Sequence, residues 1–247
     1  LKENYKNAYA EYGAGSGGEL KEKGLFPPKM ASYGSSSRMI YRLCKDIADF
    51  HFEYKLPTKI GGVANLDGFA EKDNSYIFVE AKCREPYGKK AHLIESKYKE
   101  LYSYINNSGC NLKIKTIDNG AKIEVAFSVN ECEILRFDIK QMICHLLGIA
   151  VKLLNMPTDK KVSFVFLCYN PKLIEILDEK KKKAVYETYD QMCDECSKID
   201  FKALFEVIAK YLHQEMNVGY ATKAEIDTMI SNFSFSLCDQ DSMLSIF

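Results

Sequence analysis

Apolar residues recur along this chain in two rhythms, every three or four positions in some stretches and every second position in others, with glycine, proline and serine clusters between them. Residues 1–12 have helical composition and run into the break GAGSGG at 13–18; FPPK at 26–29 is a second break. In SSSRMIYRLCKDIADF, the stripe Met39, Ile40, Leu43, Ile47 and Phe50 predicts a helix that starts from a cap at Ser35 or Ser36. Alternation then predicts strands at HFEYKLP, at 63–70 and at 76–84, the last two parted by the turn-like EKDNS. A helix through SKYKELYSYI follows. After it, LKIKTIDNGAKIEVAFSV reads as a hairpin, because Asn119-Gly120 supplies the positive backbone angles of a tight turn. The helical rhythm returns over 137–154, a strand over 162–170, and helices over 174 to about 192, 201 to about 215 and 224–230. The tail FSFSLCDQDSMLSIF has no readable period.

Strands interleaved with helices predict an α/β fold. The expected division is an N-terminal helix and linker over 1–30, a core over 31–172 that includes the hairpin 111–129, and a helical C-terminal extension over 173–247 packed on that core. With 247 residues, 47% of them hydrophobic, the chain has material for a substantial interior. Its 34 basic and 34 acidic side chains cancel, so an argument for nucleic acid has to rest on local clusters and not on net charge. Nine scattered cysteines in mostly apolar segments read as reduced thiols, and no stretch reaches the ~18 apolar residues of a membrane span. These features predict a soluble, cytoplasmic protein with no membrane partner. Cys193 and Cys196 have zinc-like spacing but no second pair nearby, and read as core filler.

The segment ANLDGFAEKDNSYIFVEAKCREPYGKK resists a purely structural account. Glu80 and Lys82 share one face of a strand whose other face carries Ile77, Val79 and Ala81, while Asp67 stands on the preceding apolar strand beside Leu66, Phe69 and Ala70. Burying such ions costs about several kcal/mol each unless a partner compensates them. If the two strands pair, the carboxylates converge on one hard cation: Mg²⁺, with Mn²⁺ as a substitute and the backbone carbonyl of Ala81 as a further ligand. Lys82 is then placed to hold or deprotonate an attacking water while the metal polarises a phosphate. The competing reading is a surface strand with an ordinary ion pair, and the apolar flanks count against it.

Asp67 followed, after twelve intervening residues, by Glu80-Ala81-Lys82 resembles the signature of the PD-(D/E)XK nuclease superfamily, which includes many restriction endonucleases and DNA-repair nucleases. The resemblance implies a restriction-endonuclease-like core, α-β-β-β-α-β, with a central mixed sheet flanked by helices. It spans roughly 35–170: the helix near 35–49, strands around Glu53, Asp67 and Glu80, the helix from Phe137 and the strand from Val162. Leu66, and not proline, precedes Asp67.

The resemblance also implies roles for two further side chains. Glu53 matches an acid that members carry on or just after the first helix, as a ligand through water or to a second ion. Gln141 matches a polar residue of the core helix that faces the site, with Lys140 as the competitor if the helix is rotated. In FDIKQMICHLLGIAVK, Gln141, His145, Gly148 and Lys152 form one stripe and Ile139, Ile143, Leu146, Ala150 and Leu153 another; Gly148 would permit a close approach. His145 itself reads as a satisfied helix histidine.

The loop PYGKKAH directly follows the third strand. Its neighbour Arg84 with Lys89 and Lys90 suits phosphate contacts, and Tyr87 suits stacking on a base or sugar. The expected function is a Mg²⁺-dependent nuclease hydrolysing phosphodiester bonds in DNA, with RNA an open alternative, in which Asp67, Glu80, Lys82, Glu53 and Gln141 do the chemistry. The alternative is a catalytically silent nucleic-acid-binding or scaffolding protein of the same fold. An apolar face of Phe201, Leu204, Phe205, Ile208, Tyr211 and Leu212 fits a homodimer interface and packing on the core equally well.

Overall fold

The computed structural model describes residues 6–15, 18–22, 24, 27–32, 34–83, 93–94, 96–118, 123–173 and 178–247. Helices α1 (Lys6–Ala14) and α2 (Ser36–Cys44) precede three strands, β1 (Phe50–Pro57), β2 (Val63–Lys72) and β3 (Ser75–Lys82). Then come β4 (Leu93–Ile94), α3 (Lys99–Asn107), β5 (Leu112–Asp118), β6 (Ile123–Val129), β7 (Cys132–Ile134), α4 (Ile139–Asn155) and β8 (Lys161–Cys168). Helices α5 (Glu179–Ser197), α6 (Phe201–Gln214) and α7 (Lys223–Asn232) lead into β9 (Phe233–Cys238). Arg84, Tyr87, Lys89 and Lys90, the Asn119-Gly120 turn and residues 174–177 lie outside the described residues.

The main sheet is mixed, in the order β1-β2-β3-β8-β9. Short turns join β1, β2 and β3 as antiparallel neighbours, whereas β8 and β9 run parallel to β3. A parallel return needs a long crossover, and the path from β3 to β8 includes α4. Alternation along β3 sorts its side chains between two cores. Ile77, Val79 and Ala81 join Ile40 and Cys44 of α2 and Tyr12 of α1 on one side; Tyr76 and Phe78 join Ile143 and Leu146 of α4 on the other. The hairpin β5–β6 belongs to a second, four-stranded sheet with β4 and β7, packed into the α4-side core.

Several elements depart from expectation. Helix α2 begins at the Ser35 cap, whose hydroxyl accepts the Arg38 N–H at 3.2 Å, but it stops at Cys44. Asp49 takes φ 57°, which a helix cannot continue through, and Phe50 opens β1 instead. Its position three residues after Ile47 imitates a helical stripe.

The larger departure is β9. The tail with no readable period forms an alternating strand, in register with β8 from Val162↔Phe233 to Leu167↔Cys238. Phe235 stacks on Phe201 at 3.7 Å between ring centroids, and Phe233 stacks on Phe205 at 4.0 Å. The extension is therefore not wholly helical but completes the sheet. Packing of α6 against α3, α4, α7 and β9 buries Phe201, Leu204, Phe205, Ile208, Tyr211 and Leu212 within the chain, which removes the face proposed for a dimer interface.

All nine cysteines are thiols, not disulfides. No helix among the described residues is long and apolar enough to cross a membrane.

Candidate active site

Strands β1 and β2 share a defect at one point. Their ladder pairs Phe52 with Gly68 and Tyr54 with Leu66, which leaves Glu53 and Asp67 opposite each other without a ladder pairing. Glu53 has φ 52°, a left-handed conformation costly for a residue with a Cβ. The side-chain alternation slips by one residue here on both strands. Phe50 and Phe52 pack on the α2 side, but Tyr54 and Leu56 on the α4 side; Ala64 and Leu66 face α4, and beyond Asp67 it is Phe69 that does so. Such irregularities re-aim side chains, and here two carboxylates are re-aimed together.

The β2–β3 ladder ends at Gly68↔Val79, so the strands part beside Asp67. Asp67 bridges the opening, its Oδ2 accepting the Ala81 N–H at 2.8 Å in place of a strand carbonyl. On the other side of β3, the Lys82 carbonyl accepts the Tyr169 N–H at 2.9 Å. Backbone groups alternate in direction along a strand, so Ala81 turns its carbonyl toward the β2 side, where Asp67 lies.

Glu80 projects to the α4 face and is almost sealed, at 2% exposure. Its Oε1 accepts from Lys82 Nζ at 2.6 Å and from Gln141 Nε2 at 2.7 Å. His145 Nε2 stands 3.0 Å from Oε2, within ion-pair distance but off the hydrogen-bonding axis, so neither atom gains an aligned hydrogen bond. Gln141 and His145 are four residues apart and share the face of α4 turned to the sheet. It is Gln141, of the two candidates, that reaches Glu80.

Three local features fix α4 in this place. Asp138 caps the helix by accepting the Gln141 N–H at 3.1 Å. The buried Glu195 carboxylate of α5 accepts the N–H groups of Leu135, Arg136 and Phe137 at 3.1, 2.7 and 2.9 Å, holding the entry to the helix. Gly148 lets the helix lie against the strands: a Cβ there would fall 2.8 Å from Leu56 Cβ and 2.9 Å from Ala64 Cβ. The last member of the stripe, Lys152, spreads its ammonium over the rings of Tyr54, Phe69 and Tyr76 at 5.9, 5.3 and 5.4 Å.

The two acids titrate in opposite senses. Burial and the nearby Glu80 charge push the Asp67 carboxyl well above the usual range, with Lys82 and the Ala81 N–H opposing. For Glu80, burial also pushes upward, but Lys82 and His145 outweigh it and hold the carboxyl at about 2. Glu53 is raised by burial, then by Glu19 and Glu80, against Lys29 and Lys55. The charges of Glu53 and Glu80 are thus felt at Asp67, which places the three acids in one neighbourhood.

Sequence reasoning missed two residues. His145 belongs to the stripe that contains Gln141, so its facing the site was legible, but its proximity to Glu80 was not. Glu19 directly follows the predicted flexible break at 13–18, yet it is buried and paired with Lys29 at 3.1 Å. Nothing in its local pattern marked it. The α1 segment also closes over β1: Gly15 abuts the Glu53 side chain, and Glu11 accepts the Phe52 N–H at 2.9 Å.

Among the described residues, no three His, Cys, Asp or Glu side chains are grouped as a protein-built metal cage would require. Two carboxylates, a backbone carbonyl and water form the kind of oxygen set that suits Mg²⁺, which keeps several waters when bound. Glu80 Oε2 is a buried acceptor without an aligned donor, and this fits a cation better than it fits a finished salt bridge.

No protein-family model, no curated protein and no solved structure matches this chain.

Proposed function

We propose that this chain is a divalent-metal-dependent nuclease that hydrolyses phosphodiester bonds in DNA. The observation that carries the reading is Asp67 on Ala81 at the opening of two strands, beside a sealed Glu80 held by Lys82 and Gln141. The residues and their succession, a helix, three strands, a helix and a strand, resemble the PD-(D/E)XK superfamily, and the chemistry of the site supports the same reaction.

Asp67, Glu80 and the Ala81 carbonyl would hold Mg²⁺ or Mn²⁺. The bound ion supplies Lewis-acid polarisation of the phosphate and stabilises the departing oxygen. Lys82 is tied to Glu80 by one of its three N–H donors, which sets its ammonium beside the metal-holding carboxylate, where it orients the attacking water and carries positive charge toward the phosphate. Gln141 keeps Glu80 from rotating. Glu53, opposite Asp67, adds negative charge that strengthens cation binding. Arg84, Tyr87, Lys89 and Lys90 follow β3 directly in sequence and are the proposed contacts to the DNA backbone.

The test is cleavage of plasmid, linear and single-stranded DNA by the purified chain with Mg²⁺ or Mn²⁺. Lys82→Gln keeps a donor for Glu80, so it should fold, and it should lower cleavage by about 100-fold or more. If wild type cuts none of these substrates with either metal, the enzymatic reading is wrong.

One observation favours a second reading. Because Lys82, Gln141 and His145 already surround Glu80, the site can be stable as a closed ion network in a non-cleaving DNA-binding protein. Such a protein would show no metal binding dependent on Asp67.

A further inference from the structure

We propose that His145 is a positioning residue that holds the second oxygen of Glu80 for the metal, an inference that rests on the metal-dependent reading above. A carboxylate oxygen accepts about two hydrogen bonds. Lys82 and Gln141 together saturate Glu80 Oε1, so Oε2 is the oxygen left to bind a cation. His145 Nε2 is placed against Oε2, at 3.0 Å.

A purely structural role for this histidine is uneconomical. His145 is 2% exposed and stands in a helix whose neighbours Met142, Ile143, Leu146, Leu147 and Ile149 are fully buried apolar residues. Its ring packs edge-on to Phe164 at 6.0 Å between centroids, a contact that any apolar side chain of similar size would make. Both of its nitrogens lack an aligned hydrogen bond, a costly condition for a sealed imidazole. A leucine here would satisfy the core without that cost. The polar ring is explained by its neighbour: a modest rotation of either group turns the 3.0 Å approach into a hydrogen bond from Nε2–H to Oε2, which fixes the direction of the remaining Oε2 lone pair. Residues that hold a ligating carboxylate from behind tune metal affinity by about 10–100-fold.

The experiment is calorimetric titration of Mn²⁺ into wild type, His145→Leu, His145→Gln and Asp67→Asn, with thermal unfolding of each variant as the control for folding. Leucine keeps the volume and removes the donor; glutamine restores a donor near the place of Nε2. His145→Leu is expected to weaken Mn²⁺ binding by about 10-fold or more, and His145→Gln to recover most of that loss. If His145→Leu fails to fold, His145→Ala carries the same comparison against His145→Gln. Equal affinities for the donor and non-donor variants, or a His145→Leu value within about twofold of wild type, would overturn the proposal. If Asp67→Asn binds Mn²⁺ as wild type does, the metal site itself is wrong; if Asp67→Asn abolishes binding while His145→Leu does not alter it, only the role of His145 is.

Discussion

Asp67 and Glu80 show how two carboxylates on adjacent strands acquire opposite properties. Glu80 has Lys82 within 2.6 Å and stays charged, whereas for Asp67 burial and the repulsion of Glu80 outweigh the Lys82 charge and the Ala81 N–H at 2.8 Å. For Asp67 the folded-state pKa lies above the ordinary value of 3.8, so its favourable contribution is present in acid and is lost as pH rises through the folded value. Asp67→Asn keeps an oxygen for the Ala81 N–H and removes the charge. It should therefore stabilise the protein at pH 7 and abolish the gain in thermal stability expected of wild type with Mn²⁺. Glu80 has the other sign: its contribution is present above 4.5 and is lost as pH falls toward about 2, and that acid limb should persist in Asp67→Asn. Chemical denaturation as a function of pH tests both parts; an unchanged or lower stability of Asp67→Asn at pH 7 would contradict the assigned repulsion.

The element that matters most is α4, because it delivers Gln141 and His145 to the strand that carries Glu80. Its stripe of Gln141, His145, Gly148 and Lys152 was legible as a stripe, since i, i+4 spacing is a property of the chain alone. That this stripe turns to the sheet was already an expectation, with Gly148 allowing the approach; not legible was which side chains Gly148 meets there, Leu56 and Ala64. Gly148→Ala sets two effects against each other. Alanine gains ~1 kcal/mol of helix propensity, and overpacking at a fixed contact costs ~1–3 kcal/mol. A Cβ at 2.8–2.9 Å from two backbone-anchored Cβ atoms cannot be relieved by a side-chain rotation, so the helix itself must move. The variant should lose ~1–2 kcal/mol in urea denaturation and also bind Mn²⁺ more weakly, since Gln141 and His145 move with the helix. Full stability with full Mn²⁺ affinity would show that the helix is not held by this contact.

Across the whole molecule, the chain ends by returning to its own sheet. Strand β9 covers the edge of β8, and Phe233 and Phe235 stack on α6, so the C-terminal region closes the core that positions α4. Removing residues 233–247 exposes the apolar edge strand β8 and unseats α6, and an exposed hydrophobic edge invites pairing between chains. The truncated chain should lose the cooperative unfolding transition and elute as aggregate in size-exclusion chromatography. A monomeric, cooperatively folded truncation would show that β9 is an accessory strand.

The alternation and helical spacing, which local sterics impose on any chain, determined most of the elements and the acidic trio's place on adjacent strands. They also determined that Gln141 and His145 share a face. Phe233, Phe235 and Leu237 do alternate with serines, but a six-residue strand late in a helical stretch has no local signal strong enough to distinguish it from a tail. Only tertiary structure decided that Glu53 opposes Asp67 across a slipped ladder, that Glu19 is buried near them, that β9 completes the sheet, and that His145 meets Glu80. Each of these depends on which segments distant in sequence come together, and on the strained backbone at Glu53. Spacing along the chain carries no record of that.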